Sequence, residues 1–286
     1  MSIAVDRIES LDDLLLCERL QEQLLGPRSR SILTVPILAG IRRSGGLLLG
    51  AWETEGSRRT LQGALVDLAA EADRFPARFT AFLGVAPGSR NRGTAQALRG
   101  AERSACHTEG VELVFWWGDP LRSPPAHIAF NRLGAIAPAH VRNALGPLRD
   151  RENAGLATDR LRIEWWVNSP RVTAILDGGK PPPHFDVGLD RMHVLTKTRA
   201  LSSGLRALSD VGSSPSGRFV LVEIPADLDR LRAEDEEAAR SWRLLTRRGF
   251  ELLFSDGYTI VGFVHEGGRS FHLFERADRG TVLGRS

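Results

Sequence analysis

The stretch Leu83–Ala95, LGVAPGSRNRGTA, constrains the fold of this chain more than any other segment. An apolar strand runs into a Pro87-Gly88 turn, then Arg90, Asn91, Arg92 and Gly93, and a helix-forming run follows as far as His107. A strand must therefore feed a helix whose first amides lie open at the junction, because those N–H groups have no intrahelical partner. Gly93 keeps the main chain approachable and two arginines add positive charge, so the junction is a candidate phosphate-type anion site. No Gly-Lys-Ser/Thr follows, which excludes a P-loop, and the three glycines of a dinucleotide fingerprint are missing. The plain structural alternative is a polar turn that only starts a helix.

Composition narrows the setting. With 286 residues, 42% hydrophobic and 26% charged, the chain holds one large domain or two ordinary ones. No apolar run reaches the ~18–20 residues of a bilayer span, so no membrane role is expected. MSIAVDRIES is acidic early and has no apolar core, which argues against a signal peptide and for a cytoplasmic protein. Cys17 and Cys106 make neither a disulfide framework nor a metal cluster, and the histidines lack metal-ligand spacing, so no metal is expected. Lys180 and Lys197 are the only lysines among 38 basic residues. Acidic residues are interspersed with the arginines and the net charge is +3, so no stripe for a nucleic acid stands out.

The periodicity predicts a strand at Ile3–Ile8, a helix at Leu11–Leu25, and a hairpin of Gly45–Trp52 with Leu61–Leu68. Strands follow at Phe79–Val85 and Val111–Trp116, a short helix at His127–Leu133, and a strand at Leu161–Val167. Ser169–Ser216, with its loop Gly178–Pro183 and Ser/Gly-rich Val211–Gly217, reads as a boundary region. It separates residues 1–168 from 169–286. A strand at Phe219–Ile224, one long helix Leu228–Phe254 capped by Asp227, and a hairpin around Gly267-Gly268 complete the chain. Both halves share the order strand, helix, strand pair, which reads as a partial, degenerate repeat.

Motifs in both halves resemble one double-domain family of the GNAT acyltransferase superfamily, some of whose members are linked to N-succinylation of amino acids. In the first half these are Gly45-Gly46-Leu47 to Ala51, Leu83 to Ala95, Trp116 to Leu121, Leu133-Gly134-Ala135, Asn153 to Leu161 and Glu164-Trp165. In the second they are Ile224 to Asp227, Trp242-Arg243, Arg247, Gly257-Tyr258 and Gly262-Phe263. The resemblance implies an α/β (α+β) GNAT fold: a mixed, mostly antiparallel twisted sheet flanked by helices, with a degenerate second half. It implies a CoA thioester, acetyl-CoA or succinyl-CoA, as co-substrate, and a small-molecule amine, such as an amino acid, as acceptor. Pantetheine would pair with Leu83, Gly84 and Val85, and the pyrophosphate would rest on Arg90, Asn91, Arg92, Gly93, Thr94 and Ala95. Where that family carries two asparagines this chain has Pro125 and Ala129; an expected tyrosine is Leu145, and a His-Ser-His run is Phe79-Thr80-Ala81.

Asp119, at a strand end before proline, is a candidate base or orienting group, or else a carboxylate accepting turn N–H bonds. His127 is a candidate proton acceptor, or else a surface histidine. Glu164 reads as structural, and Trp116, Trp117, Trp165 and Trp166 as core or as walls of an acceptor pocket. Cys106 reads as a small buried residue. The second half reads as a lid or wall for the acceptor site, or as a homodimer surface. The expected activity is N-acyl transfer without a covalent enzyme intermediate. A catalytically silent acyl-CoA-binding protein and a biosynthetic enzyme using the thioester otherwise are the alternatives.

Overall fold

A computed structural model describes residues 3–285 apart from 28, 57, 149, 151–152, 154 and 181–191. Pro181–Pro183 of the expected loop thus lie outside the described residues. The chain forms two compact units, residues 1–116 with 149–152 and residues 117–148 with 153–286.

The first unit contains β1 (Ile3–Arg7), α1 (Leu11–Leu25), α2 (Val35–Arg43), β2 (Leu47–Glu55), β3 (Arg58–Ala72), β4 (Phe75–Val85) and α3 (Thr94–Glu109). The start of β5 (Leu113–Gly118) also belongs to it. Strand order is β1-β2-β3-β4-β5, antiparallel through β4 and parallel between β4 and β5. The run GGLLLGAW is continuous in hydrophobicity because β2 is covered on both faces. Leu48 and Trp52 pack with Leu14, Cys17, Leu20 and Leu38 of α1 and α2. Leu47, Leu49 and Ala51 pack with Leu98 of α3 on the other face. A Cβ on Gly50 would lie 2.6 Å from the Trp52 indole nitrogen, so glycine is required there.

The second unit holds α4 (Ser123–Ala126), a π-helical turn His127–Arg132, β6 (Ile136–Val141), β7 (Arg160–Trp166) and α5 (Pro170–Leu176). It continues with β8 (His193–Val194), β9 (Thr196–Ala200), β10 (Arg206–Val211), β11 (Phe219–Ile224), α6 (Leu228–Glu234), α7 (Glu236–Ser255), β12 (Tyr258–Glu266), β13 (Arg269–Arg276) and α8 (Arg279–Leu283). Its strands run β7-β6-β12-β13-β11-β8, with β9 and β10 as a separate ribbon. Most neighbours are antiparallel; β11 and β8 are parallel. The expected fold class, a mixed and mostly antiparallel sheet flanked by helices, is the one observed.

Three sequence expectations differ from the structure. The units divide at Trp116/Trp117 and not at 168, because β6 pairs with β12 at Ala137↔Ile260 and carries β7 with it. The Ser/Gly/Pro-rich segment marks loops, whereas hydrogen bonding decides where strands belong. The run Leu228–Phe254 is two helices, since Asp235 leaves helical geometry (φ −152°, ψ 87°) and its carboxylate caps α7 at the Ala238 N–H. Finally, β1 lies beside β2 whereas β11 lies beside β13, so a shared element order gives different strand orders.

Trp165 and Trp166 are both buried, on opposite faces of β7, their indole N–H groups donating to Leu133 O and Glu164 Oε2. Glu164 is buried and ion-paired with Arg162 and Arg279, a structural role. Cys106 is fully buried, as are Trp242 and Phe250 on the inner face of α7.

Candidate functional site

Within the described part of the first unit, the end of β4 is paired on one edge only. On its β3 side the pairing runs from Ala72↔Phe75 to Gly63↔Val85, with a register shift that sets Val66 opposite Phe82 and Asp67 opposite Thr80. Ala81 is therefore an extra residue, a β-bulge, which bends the strand and increases its twist. On the β5 side the pairing is short: Ala77↔Leu113, Arg78↔Val114 and Phe79↔Phe115. Beyond Phe79, residues Thr80–Val85 have no strand partner on that edge within the described part of the first unit. A strand edge of this kind can accept an extended ligand by main-chain hydrogen bonding. A Cβ on Gly84 would sit 2.4 Å from the Phe82 ring and 2.6 Å from Leu24, so a side chain there would have to displace both.

From that edge the chain enters a 3-10 turn, Pro87–Ser89, and then the expected cradle. Asn91 and Gly93 both have left-handed backbones, φ +59° and +80°. Gly93 is the N-cap of α3, and no side chain bonds to the helix start. Ser10, Ser169, Asp227, Asp235 and Asp278 each cap a helix with a side-chain oxygen. The first amides of α3 are thus left to an outside acceptor, and its first turn holds no acidic residue.

The cradle is braced from beneath. Thr94 Oγ1 donates to Ser89 O (3.1 Å), and Ser89 Oγ to Gln62 Oε1 (2.6 Å). Gln62 Nε2 donates in turn to Glu53 Oε2 (3.1 Å). Arg92 pairs with Glu53 at 3.2 Å, while Arg90, Asn91, Arg92 and Gly93 are exposed and Thr94 is buried. The predicted cofactor-binding residues Leu83 to Val85 and Arg90 to Ala95 therefore form one continuous feature of the first unit: a free strand edge leading into an open helix start.

The predicted catalytic residues lie in the second unit. Asp119 is almost fully buried; its Oδ1 accepts the Leu121 N–H (2.9 Å) and its Oδ2 accepts from Arg243 (2.7 Å), with Arg160 at 3.9 Å. Burial would raise its pKa, but Arg243, Arg160 and the Leu121 N–H together hold the carboxyl below its usual range. A carboxylate so engaged is a poor proton acceptor, and the turn-bonding reading of Asp119 fits the geometry. His127 opens the π-helical turn. Asn131 Nδ2 lies 3.3 Å from its Nδ1 and also donates to Phe263 O, while Asn131 Oδ1 accepts the Phe263 N–H. The main chain of Phe263 thus orients the amide, making His127 Nδ1 the acceptor and leaving the proton on Nε2. Burial, with Arg132 and His265 adding like charge, lowers the His127 pKa, so the ring is neutral at pH 7. Pro125 is exposed, Ala129 is buried in the core, and Leu145 is exposed.

Arg243 had no assigned role in the sequence, although it stands in a quoted motif. Asn131 carried no signal at all, since its partner Phe263 is 132 residues away.

Several similar solved structures bear acetyltransferase names. One from Desulfovibrio desulfuricans bears the name of a GNAT-family acetyltransferase; it is 18% identical with a TM-score of 0.45, over 58% of this chain and 99% of its own. The ribosomal-protein-S18-alanine N-acetyltransferase of Escherichia coli is 11% identical with a TM-score of 0.45, over 58% of this chain and 94% of its own. The NatC complex bound to Gag peptide and CoA is 12% identical with a TM-score of 0.47, over 57% and 98%. No family model and no curated protein matches the chain.

Proposed function

We propose that this protein is a GNAT-type N-acyltransferase that moves an acyl group from acyl-CoA to the amine of a small molecule. The observation that carries the reading is the junction of two features in one unit. The free β4 edge at Thr80–Val85 offers main-chain groups to an extended pantetheine arm, and the uncapped start of α3 offers amides to a pyrophosphate. Arg90 and Arg92 add positive charge at the same place. The reaction is direct: the amine lone pair attacks the thioester carbonyl, a C–N bond forms as the C–S bond breaks, and sulfur leaves with the electron pair. The proton shed by the amine ends on the thiolate, directly or through water.

Calorimetric titration with acetyl-CoA and succinyl-CoA tests the reading. Binding is expected, with Arg90→Ala/Arg92→Ala weakening it ~10-fold or more through lost charge-assisted contacts. A folded protein that binds neither thioester overturns it.

The geometry around Asp119 and His127 supports a second reading, a catalytically silent acyl-CoA-binding protein. Asp119 is held by Arg243 and the Leu121 N–H, and the Nδ1 lone pair of His127 faces Asn131. An acyl-transfer screen with mixed amines separates the two. Turnover that Asp119→Asn or His127→Ala abolishes, with the fold intact, removes the silent reading.

A further inference from the structure

Arg99, on the inner face of α3, touches both strands where they part. Phe79 and Phe115 are the last paired residues of β4 and β5, their ring centroids 5.4 Å apart. The next residue on each strand is Thr80 and Trp116. Arg99 Nη1 donates to Thr80 Oγ1 at 3.0 Å, and its guanidinium carbon lies 4.2 Å from the Trp116 ring centroid. The same group donates to Glu102 Oε2 (2.7 Å) and Oε1 (3.0 Å), one turn along α3. Side-chain exposure is 4% for Arg99 and 0% for Glu102.

Burying an arginine and a glutamate costs more than filling the same space with apolar groups, so charge alone is a poor reason for this pair. What a guanidinium adds is direction. Its edge donates while its flat face stacks on an aromatic ring, a combination that neither lysine nor an aliphatic side chain supplies. Here the edge engages β4 and the face engages β5. Thr80 also adjoins the bulge at Ala81 and stands opposite Asp67, so the contact falls where β4 bends.

We propose that Arg99 is a positioning residue that sets the opening between β4 and β5 at Thr80 and Trp116, and so the depth at which a thioester arm can lie there. The inference rests on the acyl-CoA reading of this unit. Arg99 does not belong to the cradle, which is formed by Arg90 to Ala95 at the helix start. The part of CoA beyond the cradle should therefore sense Arg99, and the nucleotide end should not.

The test compares acetyl-CoA with adenosine 3′-phosphate 5′-diphosphate, the nucleotide end alone, by calorimetry. Two variants are used: Trp116→Leu, which removes the stacked face, and Arg99→Met/Glu102→Gln, which removes both buried charges together so that neither is left alone. In the unaltered protein acetyl-CoA should bind more tightly than the nucleotide. In either folded variant the nucleotide affinity should stay within ~2-fold, while the acetyl-CoA advantage falls ~10-fold or more, about 1.4 kcal/mol of binding free energy. An unchanged acetyl-CoA advantage in both variants overturns the proposal, as does parallel weakening of both ligands with a lowered melting temperature. Failure of the unaltered protein to bind either ligand overturns the acyl-CoA reading itself.

Discussion

At the scale of single residues, Gly93 is the position where conformation and candidate function coincide. Its φ of +80° suits glycine, and an added Cβ would meet nothing within 4 Å, so Gly93→Ala imposes backbone strain without a clash. The variant should lose about 1 kcal/mol in urea unfolding and bind acyl-CoA more weakly. Asp119 offers a sharper contrast. In Asp119→Asn the buried guanidinium of Arg243 loses its counter-charge, a change worth about 3–5 kcal/mol. A large fall in melting temperature supports the structural role, whereas an unchanged melt with lost turnover would support the proton-acceptor role. Burial pushes the thiols of Cys17 and Cys106 up to about 12. Neither should react with iodoacetamide at pH 8 until the protein unfolds; mass spectrometry reads the result.

Among the elements, strands and hairpins were the most legible. The hairpin β12–β13 stands where its turn glycines put it, and β2–β3 is a hairpin as read, but its strands run on through Glu53–Glu55 and Arg58–Arg59, which read as the polar connection. The break between α6 and α7 was missed, since DRLRAEDEEAARSW keeps a helical composition across it. Only the backbone of Asp235 and its bond to the Ala238 N–H reveal two helices. Asp235→Ala should lower stability by about 1 kcal/mol, the usual loss for an N-cap, measured by chemical denaturation. The cradle at α3 was read from glycine, arginine and proline. The free edge of β4 beside it was expected only through the resemblance, because strand partnership is decided by residues far away in sequence.

At the scale of the whole molecule, two buried groups contribute pH dependence of opposite sign. Burial lowers the His272 pKa to about 4 despite the opposing Pro120 carbonyl and Asp119. Its ordinary value is 6.5, so the folded state binds this proton less readily than the unfolded chain. The stability it contributes is complete above about pH 6.5 and is lost as the pH falls toward 4. Asp67 behaves in the opposite sense. Burial first, then the charge of Glu102, raises its pKa well above 3.8, with Arg99 and Thr80 opposing. Its contribution is present below the ordinary carboxylate range and declines as the pH rises through the raised value. Calorimetric melts from pH 4 to 8 should show His272→Phe with a flatter acid limb than the unaltered chain, and Asp67→Asn with a smaller loss of stability as the pH rises.

Sequence alone determined part of the local content of this protein: the helix at Leu11–Leu25, the hairpins, the strand at Leu83 that feeds an arginine-flanked helix start, and the buried place of Cys106, whereas α2, β6 and α5 went unread. These follow from backbone geometry and side-chain polarity acting over a few residues. Tertiary structure alone decided that β6 and β7 join the C-terminal strands, that β4 and β5 part after Phe79 and Phe115, and that Arg99 and Arg243 lie buried against their carboxylates. Those outcomes depend on hydrogen bonds and ion pairs between distant segments. The charge of an arginine is written in the chain, but whether it faces water or a buried carboxylate depends on what folds over it.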